Sequence, residues 1–451
     1  MTITFPASRK FSERRKRKVT LVKSLDPRWR RRFGLAVSLA AVGALVPWLA
    51  TSAAAGASPG HGRSPGHWVA TWGASPQEAV SGALSATGFD NQTIRNIVFT
   101  SVGGNAVRLE LTNTFGSTPL TIGRVTVGVA GSGAAVVPGT IHVVRFGGST
   151  SIQIPPGAQV LSDPVAMNVK PLQELALSVY VPDATGPATN HSDAQQVNYV
   201  STAGDHAGQL SGAAFTTQSQ SWYYVDAVSV RSTRAAGTVV AFGDSITDGF
   251  HSTVGANARW PNDLARRLVA HSGRTLAVAD EGISGDRVLN SDECCGVDAL
   301  SRFDRDALSQ PGVRDIIVLE GINDIGWSDL PPNPLTDPNT SVSAAQIIAG
   351  YKQLIAYAHQ NGLKIFGATL TPFKGSAYYT AAGERKREII NHWIRTSGAF
   401  NGVIDFDKVV RDPSDPLIIN PIYDSGDHLH PNDAGYQAMA NAISLAKLLH
   451  G

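Results

Sequence analysis

The sequence predicts two successive folds. An all-β sandwich or jelly-roll-like domain is expected over residues 67–232. An α/β domain with a doubly wound parallel sheet is expected over residues 236–449. Two observations carry this. Up to about Val230, short β-branched runs recur between Gly, Pro, Asn and Asp breaks, the spacing of antiparallel strands. After about Arg234, apolar runs alternate with longer helical patterns, the texture of βαβ units.

In the first region the runs are 93–101, 106–113, 120–129, 140–146 and 174–181. Gly103-Gly104, Gly147-Gly148 and Pro155-Pro156-Gly157 punctuate them. Residues 106–113 alternate apolar with polar, the period of a half-buried strand. In the second region strands are expected at 238–242, 275–280, 315–320, 364–370 and 402–406. Helices are expected at 260–270, 344–360, 384–396 and 434–449. Ile347, Ile348, Tyr351, Leu354, Ile355 and Tyr357 form a helical stripe, read as a core face rather than a cofactor contact.

The chain is 451 residues long, enough for two or three domains. Its net charge of +2 hides an asymmetry. Residues 1–32 hold 12 Lys/Arg against 2 Asp/Glu; the remainder holds 26 against 34, or −8. Without its N-terminus the chain is acidic, which argues against nucleic acid or an anionic membrane as partner. The basic stretch runs into an apolar run at 33–49 and then Ser52-Ala53-Ala54-Ala55-Gly56-Ala57. That is the layout of a cleaved signal peptide over residues 1–57, followed by a linker at 58–66. A retained membrane anchor is the competing reading, disfavoured by a short Ala- and Gly-rich run broken at Pro47. Arg30-Arg31 with Phe33 resembles a twin-arginine signal; an Arg-rich Sec signal fits nearly as well. The expectation is a secreted, extracellular protein with no membrane span after cleavage.

Two cysteines stand side by side at Cys294-Cys295. They cannot staple distant segments, and a local disulfide and a pair of free thiols stay equally open. No Cys-x-x-Cys or His-Glu-x-x-His pattern supports a zinc site. No metal and no organic cofactor is expected.

Four segments carry candidate chemistry. The first α/β strand runs into Gly243-Asp244-Ser245-Ile246-Thr247-Asp248-Gly249, at the carboxyl edge where such sheets bind ligands. Ser245 there is either a nucleophile or a helix N-cap, and capping is the commoner role. The second strand is followed by Glu281-Gly282-Ile283-Ser284-Gly285-Asp286, where Gly285 can bring a backbone N–H close to a ligand or simply turn the chain. The third ends in Glu320-Gly321-Ile322-Asn323-Asp324. Asn323 can donate to a developing oxyanion or form an Asx turn. Near the C-terminus, Asp427-His428-Leu429-His430 lets a carboxylate fold back on an imidazole. A serine hydroxyl needs such a base. His430 is chosen over His428 because Ser425, not Asp, stands three residues before His428.

Together the segments resemble the four blocks of the SGNH (GDSL) hydrolase family: Gly243-Asp244-Ser245, Gly285, Gly321-x-Asn323-Asp324 and Asp427-x-x-His430. The resemblance covers about residues 236–449 and implies a three-layer, flavodoxin-like sheet. The lipase elbow G-x-S-x-G is absent. The resemblance implies Ser245 as nucleophile, His430 as base and Asp427 as its orienting carboxylate. It implies an oxyanion hole from the backbone N–H groups of Ser245 and Gly285 and the Asn323 side chain. Asp244, Asp248, Gly321 and Asp324 are expected to support these loops. Compact members of the family are little more than the hydrolase domain. Here about 165 residues of β-structure come first, and the whole resembles secreted actinobacterial-type members with an N-terminal β-domain.

The expected substrate is an acyl ester, with short-chain or carbohydrate-borne acyl groups favoured and an acylated polysaccharide as one source. A lipase or phospholipase acting on longer chains is the alternative, with the loop 327–337 as a lining for its cleft. A non-catalytic glycan-binding protein and an acyltransferase are the remaining readings. Trp68, Trp72, Trp222, Tyr223 and Tyr224 are candidates for sugar stacking, with core packing the better expectation for each.

Overall fold

The structure, a computed structural model, describes residues 66–450 except Glu293 and residues 332–335. The expected signal peptide and residues 58–65 of the linker lie outside the described residues.

The first half is built of antiparallel sheets. One holds strands His67–Gly73, Val225–Ser232, Val107–Thr112 and Gln159–Leu161, in that spatial order. The other runs Thr217–Ser219, Asn198–Ala203, Gln92–Phe99, Glu174–Val181, Arg124–Val129, His142–Val144. Their inner faces share one apolar core that includes Val69, Leu109, Leu111, Val125, Leu177 and Val228, as alternation along each strand requires. The run expected as one strand at 120–129 is two, Leu120–Ile122 and Arg124–Val129, paired in different sheets. The break is at Gly123, where an added Cβ would lie 2.8 Å from the Tyr180 ring.

The second half is a five-stranded parallel sheet. Its strands are Ala235–Gly243, Thr275–Gly282, Val313–Leu319, Lys364–Ala368 and Gly402–Ile404, ordered second, first, third, fourth, fifth. This is the flavodoxin-like order, with its switch point beside the first strand. Helix Trp260–Ala270 packs with Asp433–Ala442, while Ala344–Gln360 packs with Ala299–Phe303 and Ala381–Thr396. The sheet is thereby sandwiched between helices. The helix expected at 434–449 is interrupted: Asp433–Ala442 ends with Ile443 extended, and Leu445–His450 follows. The Arg267 guanidinium caps the broken end by donating to the carbonyl oxygens of Ala440 and Ile443.

Only Thr233 and Arg234 separate the last sandwich strand from the first parallel strand. Strand His67–Gly73 lies against the edge strand Thr275–Gly282. Ala70 N donates to Thr238 Oγ1 at 3.0 Å and to the Pro311 carbonyl at 2.8 Å. Ala235 and Ala277 belong to the sandwich core, so the two regions share buried apolar surface.

Candidate active site

Gly243 ends the first parallel strand so close to its neighbour that an added Cβ would lie 2.2 Å from the Leu319 carbonyl oxygen. The chain then enters the short helix Ser245–Asp248. Its N-cap is Asp244, whose Oδ1 accepts from Ile246 N at 3.0 Å. Ser245 is therefore released from capping. Its hydroxyl lies 2.8 Å from His430 Nε2.

On the other side of the ring, His430 Nδ1 lies 2.6 Å from Asp427 Oδ2. Asp427 Oδ1 accepts the backbone N–H groups of Leu429 and His430, both at 2.9 Å, and the Ser425 hydroxyl at 3.1 Å. Burial alone would raise this carboxyl. The hydrogen bond and charge of His430, with those two N–H groups, outweigh burial and hold it well below the usual carboxylate range. His428 turns away with a φ of 63° and pairs instead with Asp424. A hydroxyl, an imidazole and an ionised carboxylate in line can move a proton off the hydroxyl at neutral pH.

The other two strand ends face this hydroxyl. Gly285 has a φ of +83°, and an added Cβ would lie 2.3 Å from Cys295 Sγ, so only glycine fits. The Cys294-Cys295 pair, left open by the sequence, is a disulfide that forms part of the wall. Asn323 Nδ2 donates to the Asp286 carbonyl at 2.9 Å; it does not close an Asx turn, and its second N–H remains available. Neither Ser245 N–H nor Gly285 N–H has an acceptor among the described residues.

The loop carrying Gly285 is held at several points. Asp248 Oδ2 accepts both Ser284 N and Ser284 Oγ, at 3.1 and 2.9 Å. Asp324 accepts Val288 N and Leu289 N at 2.7 and 3.2 Å. Gly321 has a φ of 120°, and an added Cβ would lie 2.8 Å from the Tyr351 hydroxyl. Burial pushes the carboxyls of Asp244 and Asp324 up, to about 8 and about 7.

Residues with no signal in the sequence also converge here. His191 of the sandwich places Nε2 3.1 Å from Asp248 Oδ1 and Nδ1 2.9 Å from the Ser75 carbonyl. Both contacts are acceptors, so both ring nitrogens must carry protons. Burial alone would lower the His191 pKa. The Asp248 charge and hydrogen bond, with the Ser75 carbonyl, overcome that and raise it. The result is a buried ion pair between the sandwich and the parallel-sheet region. His251 approaches Asp427 Oδ2 at 3.4 Å.

The cleft over Ser245 has a volume of about 450 Å³. Gly285, Asn323 and His430 line it with Phe250, Tyr378 and the disulfide, and the sandwich adds Val80, Asn190, Ser192, Asp193 and Ser221. The aromatics considered for sugar stacking do not line it. Trp72, Trp222, Tyr223 and Tyr224 are buried in the core, and Trp68 is half-buried beneath the Arg108 guanidinium. Trp72 and Trp222 instead pack edge to face at 5.0 Å, and His191 lies 5.4 Å from Trp222. The described residues of 327–337 do not line the cleft either. Trp327 ends in helix Ile322–Asp329 and packs behind Tyr378 at 5.2 Å.

Residues 241–438 match the model of the GDSL-like lipase/acylhydrolase family. No curated protein sequence matches the chain. Similar solved structures include a GDSL-like lipase from Bacteroides thetaiotaomicron, 18% identical over 48% of this chain and 90% of its own, TM-score 0.36. A carbohydrate acetylesterase family member from Sinorhizobium meliloti is 18% identical over 48% and 97%, TM-score 0.35. An acetyl xylan esterase from Geobacillus stearothermophilus is 19% identical over 46% and 93%, TM-score 0.36. The match to the GDSL-like lipase/acylhydrolase family therefore lies on the parallel-sheet region.

Proposed function

We propose that the protein is a secreted serine carboxylic ester hydrolase that works through an acyl-enzyme on short-chain or carbohydrate-borne acyl esters. The observation that carries the reading is the line Ser245 Oγ, His430, Asp427, at 2.8 and 2.6 Å. Ser245 Oγ attacks the ester carbonyl carbon while His430 Nε2 takes its proton. Asp427 holds Nδ1–H and balances the imidazolium charge. The developing oxyanion accepts from Ser245 N–H, Gly285 N–H and Asn323 Nδ2. His430 returns the proton to the leaving alcohol as the carbon–oxygen bond breaks. Water, deprotonated by His430, then releases the acid and restores Ser245.

The cleft supports a small substrate. Its 450 Å³ is in the lower part of the ~300–1,000 Å³ range of small-molecule pockets, and Asn190, Ser192, Asp193, Ser221 and Asn323 bring polar side chains to its wall. Export is supported by the basic and apolar N-terminal segments. The test is turnover of p-nitrophenyl esters from acetate to palmitate, beside Ser245→Ala and His430→Ala. Activity that peaks at short chains and vanishes in both variants is expected. Turnover that survives Ser245→Ala would remove the mechanism, and a peak at palmitate would remove the substrate class.

A further inference from the structure

We infer that Asn190, Ser192, Asp193 and Ser221 of the β-sandwich bind the alcohol half of the substrate, and that this alcohol carries several hydroxyl groups. The inference rests on the ester-hydrolase reading and specifies its substrate.

The four side chains line the same cleft as Ser245 and His430, and they share one chemical property. Asn190 is 3% exposed. Its Nδ2 donates to the Glu78 carbonyl at 2.7 Å and reaches the Gln77 carbonyl at 3.4 Å. Those two acceptors fix which end of the amide is nitrogen. Among the described residues Asn190 Oδ1, equally buried, is left with no donor. Ser192 Oγ donates to Gln77 Oε1 and Ser221 Oγ to the Ser192 carbonyl, both at 3.0 Å. Each hydroxyl proton is thereby used, and the remaining lone pairs can only accept. Asp193 lines the cleft near the Ser284 hydroxyl, and burial, reinforced by the Asp248 charge, raises its carboxyl. The wall is therefore acceptor-rich and short of donors.

A buried acceptor without a donor is costly, so such a wall favours a ligand that brings donors. Neighbouring hydroxyls on one alcohol supply them. Three of the four acceptors are neutral oxygens, which suits hydroxyls better than an ammonium. The side of the cleft is also consistent. His430 must protonate the leaving alkoxide, and Asp193 lines the same cleft as that ring.

The experiment compares kcat/KM for glycerol monoacetate, ethyl acetate and 2-aminoethyl acetate. The acyl group is constant and only the alcohol changes, so shared catalytic steps cancel in the ratio. The wild-type protein is expected to prefer the glycerol ester to ethyl acetate by about tenfold, the scale of one or two added hydrogen bonds. In Asp193→Ala that ratio falls about tenfold. Asp193→Asn, which keeps the shape and one acceptor, gives a smaller fall. A wild-type protein that does not discriminate between these two esters overturns the inference, as does an unchanged ratio in Asp193→Ala. A stronger preference for the aminoethyl ester that disappears in Asp193→Ala overturns it in favour of a cation site. Ser245→Ala run in parallel separates the two levels. If ester turnover survives it, the hydrolase reading fails and the inference falls with it. If turnover is lost while the ratios stay flat, only the inference falls.

Discussion

Asn323, Gly285 and Asp244 each have a measurable consequence at the scale of one residue. Asn323→Ala removes an oxyanion donor, which costs about 3 kcal/mol, roughly a hundredfold in kcat. Rates normalised to titrated active sites would show it, and a loss under threefold would remove Asn323 from the oxyanion hole. Gly285→Ala forces a Cβ to 2.3 Å from Cys295 Sγ at a φ of +83°. The expected outcome is a loss of activity that reduction of the disulfide does not fully restore, because the backbone strain remains. Asp244 governs stability against pH. Its folded pKa of about 8 lies above an unfolded value of ~3.9. Its contribution is full below about pH 4 and is lost as pH rises through about 8. The thermal midpoint should fall across that window, and Asp244→Asn should flatten the slope. Asp427 has the opposite sign. Its depressed carboxyl contributes above its unfolded pKa and loses that contribution as pH falls further.

At the scale of elements, the pair of strands Asn190–His191 and Trp222–Tyr223 sets the position of the Gly285 loop. Arg259 links the layers: Nε donates to the Asp248 carbonyl at 2.9 Å, Nη2 donates to the Ala194 carbonyl, and the guanidinium lies over Trp222. His191, Asp248 and Ser284 then form a continuous chain of contacts running from the buried His191 to the half-buried Ser284. His191→Phe leaves Asp248 buried without its cation, a change worth roughly 3–5 kcal/mol in comparable pairs. The expected result is a kcat drop of at least tenfold, with KM for a small ester changed less than threefold, and partial recovery in His191→Gln. Equal changes in kcat and KM would mean that His191 shapes binding instead of the oxyanion loop. Because the folded His191 pKa is raised, its stabilising effect is complete below about 6.5 and declines as pH rises through the higher folded value.

At the scale of the whole molecule, the hydrolase region is not closed without the sandwich. The edge strand Thr275–Gly282 is covered by His67–Gly73, and Ser75 Oγ donates to Glu281 Oε2 at 2.8 Å. Removing the sandwich would expose that edge, leave the buried Glu281 carboxyl without this partner, and delete one wall of the cleft. A fragment beginning at residue 236 is therefore expected to be insoluble or at least a hundredfold less active than the 66–451 chain. A soluble fragment of full activity would show that the shared surface is dispensable.

The sequence by itself placed the strands and helices of the parallel-sheet region along the chain and marked Ser245, Gly285, Asn323, Asp427 and His430 as candidates, which the resemblance to the SGNH hydrolases joined into one site. The candidate signals are local. Gly243 and Gly285 mark points where backbone must pass close to other atoms, and Asp427 reaches His430 within one turn of chain. It also showed that one serine role had to be chosen, and the structure decided it: Asp244 does the capping, which leaves Ser245 free. The sandwich aromatics were legible as core packing or sugar stacking, and the contact of Trp222 with His191 could not be read. The disulfide, the break at Ile443 and the cleft wall of Asn190 and Asp193 depended on tertiary structure alone. His191 meets Asp248 across 57 positions and Ser75 across 116, and no local pattern encodes a contact that exists only after two sheets have packed.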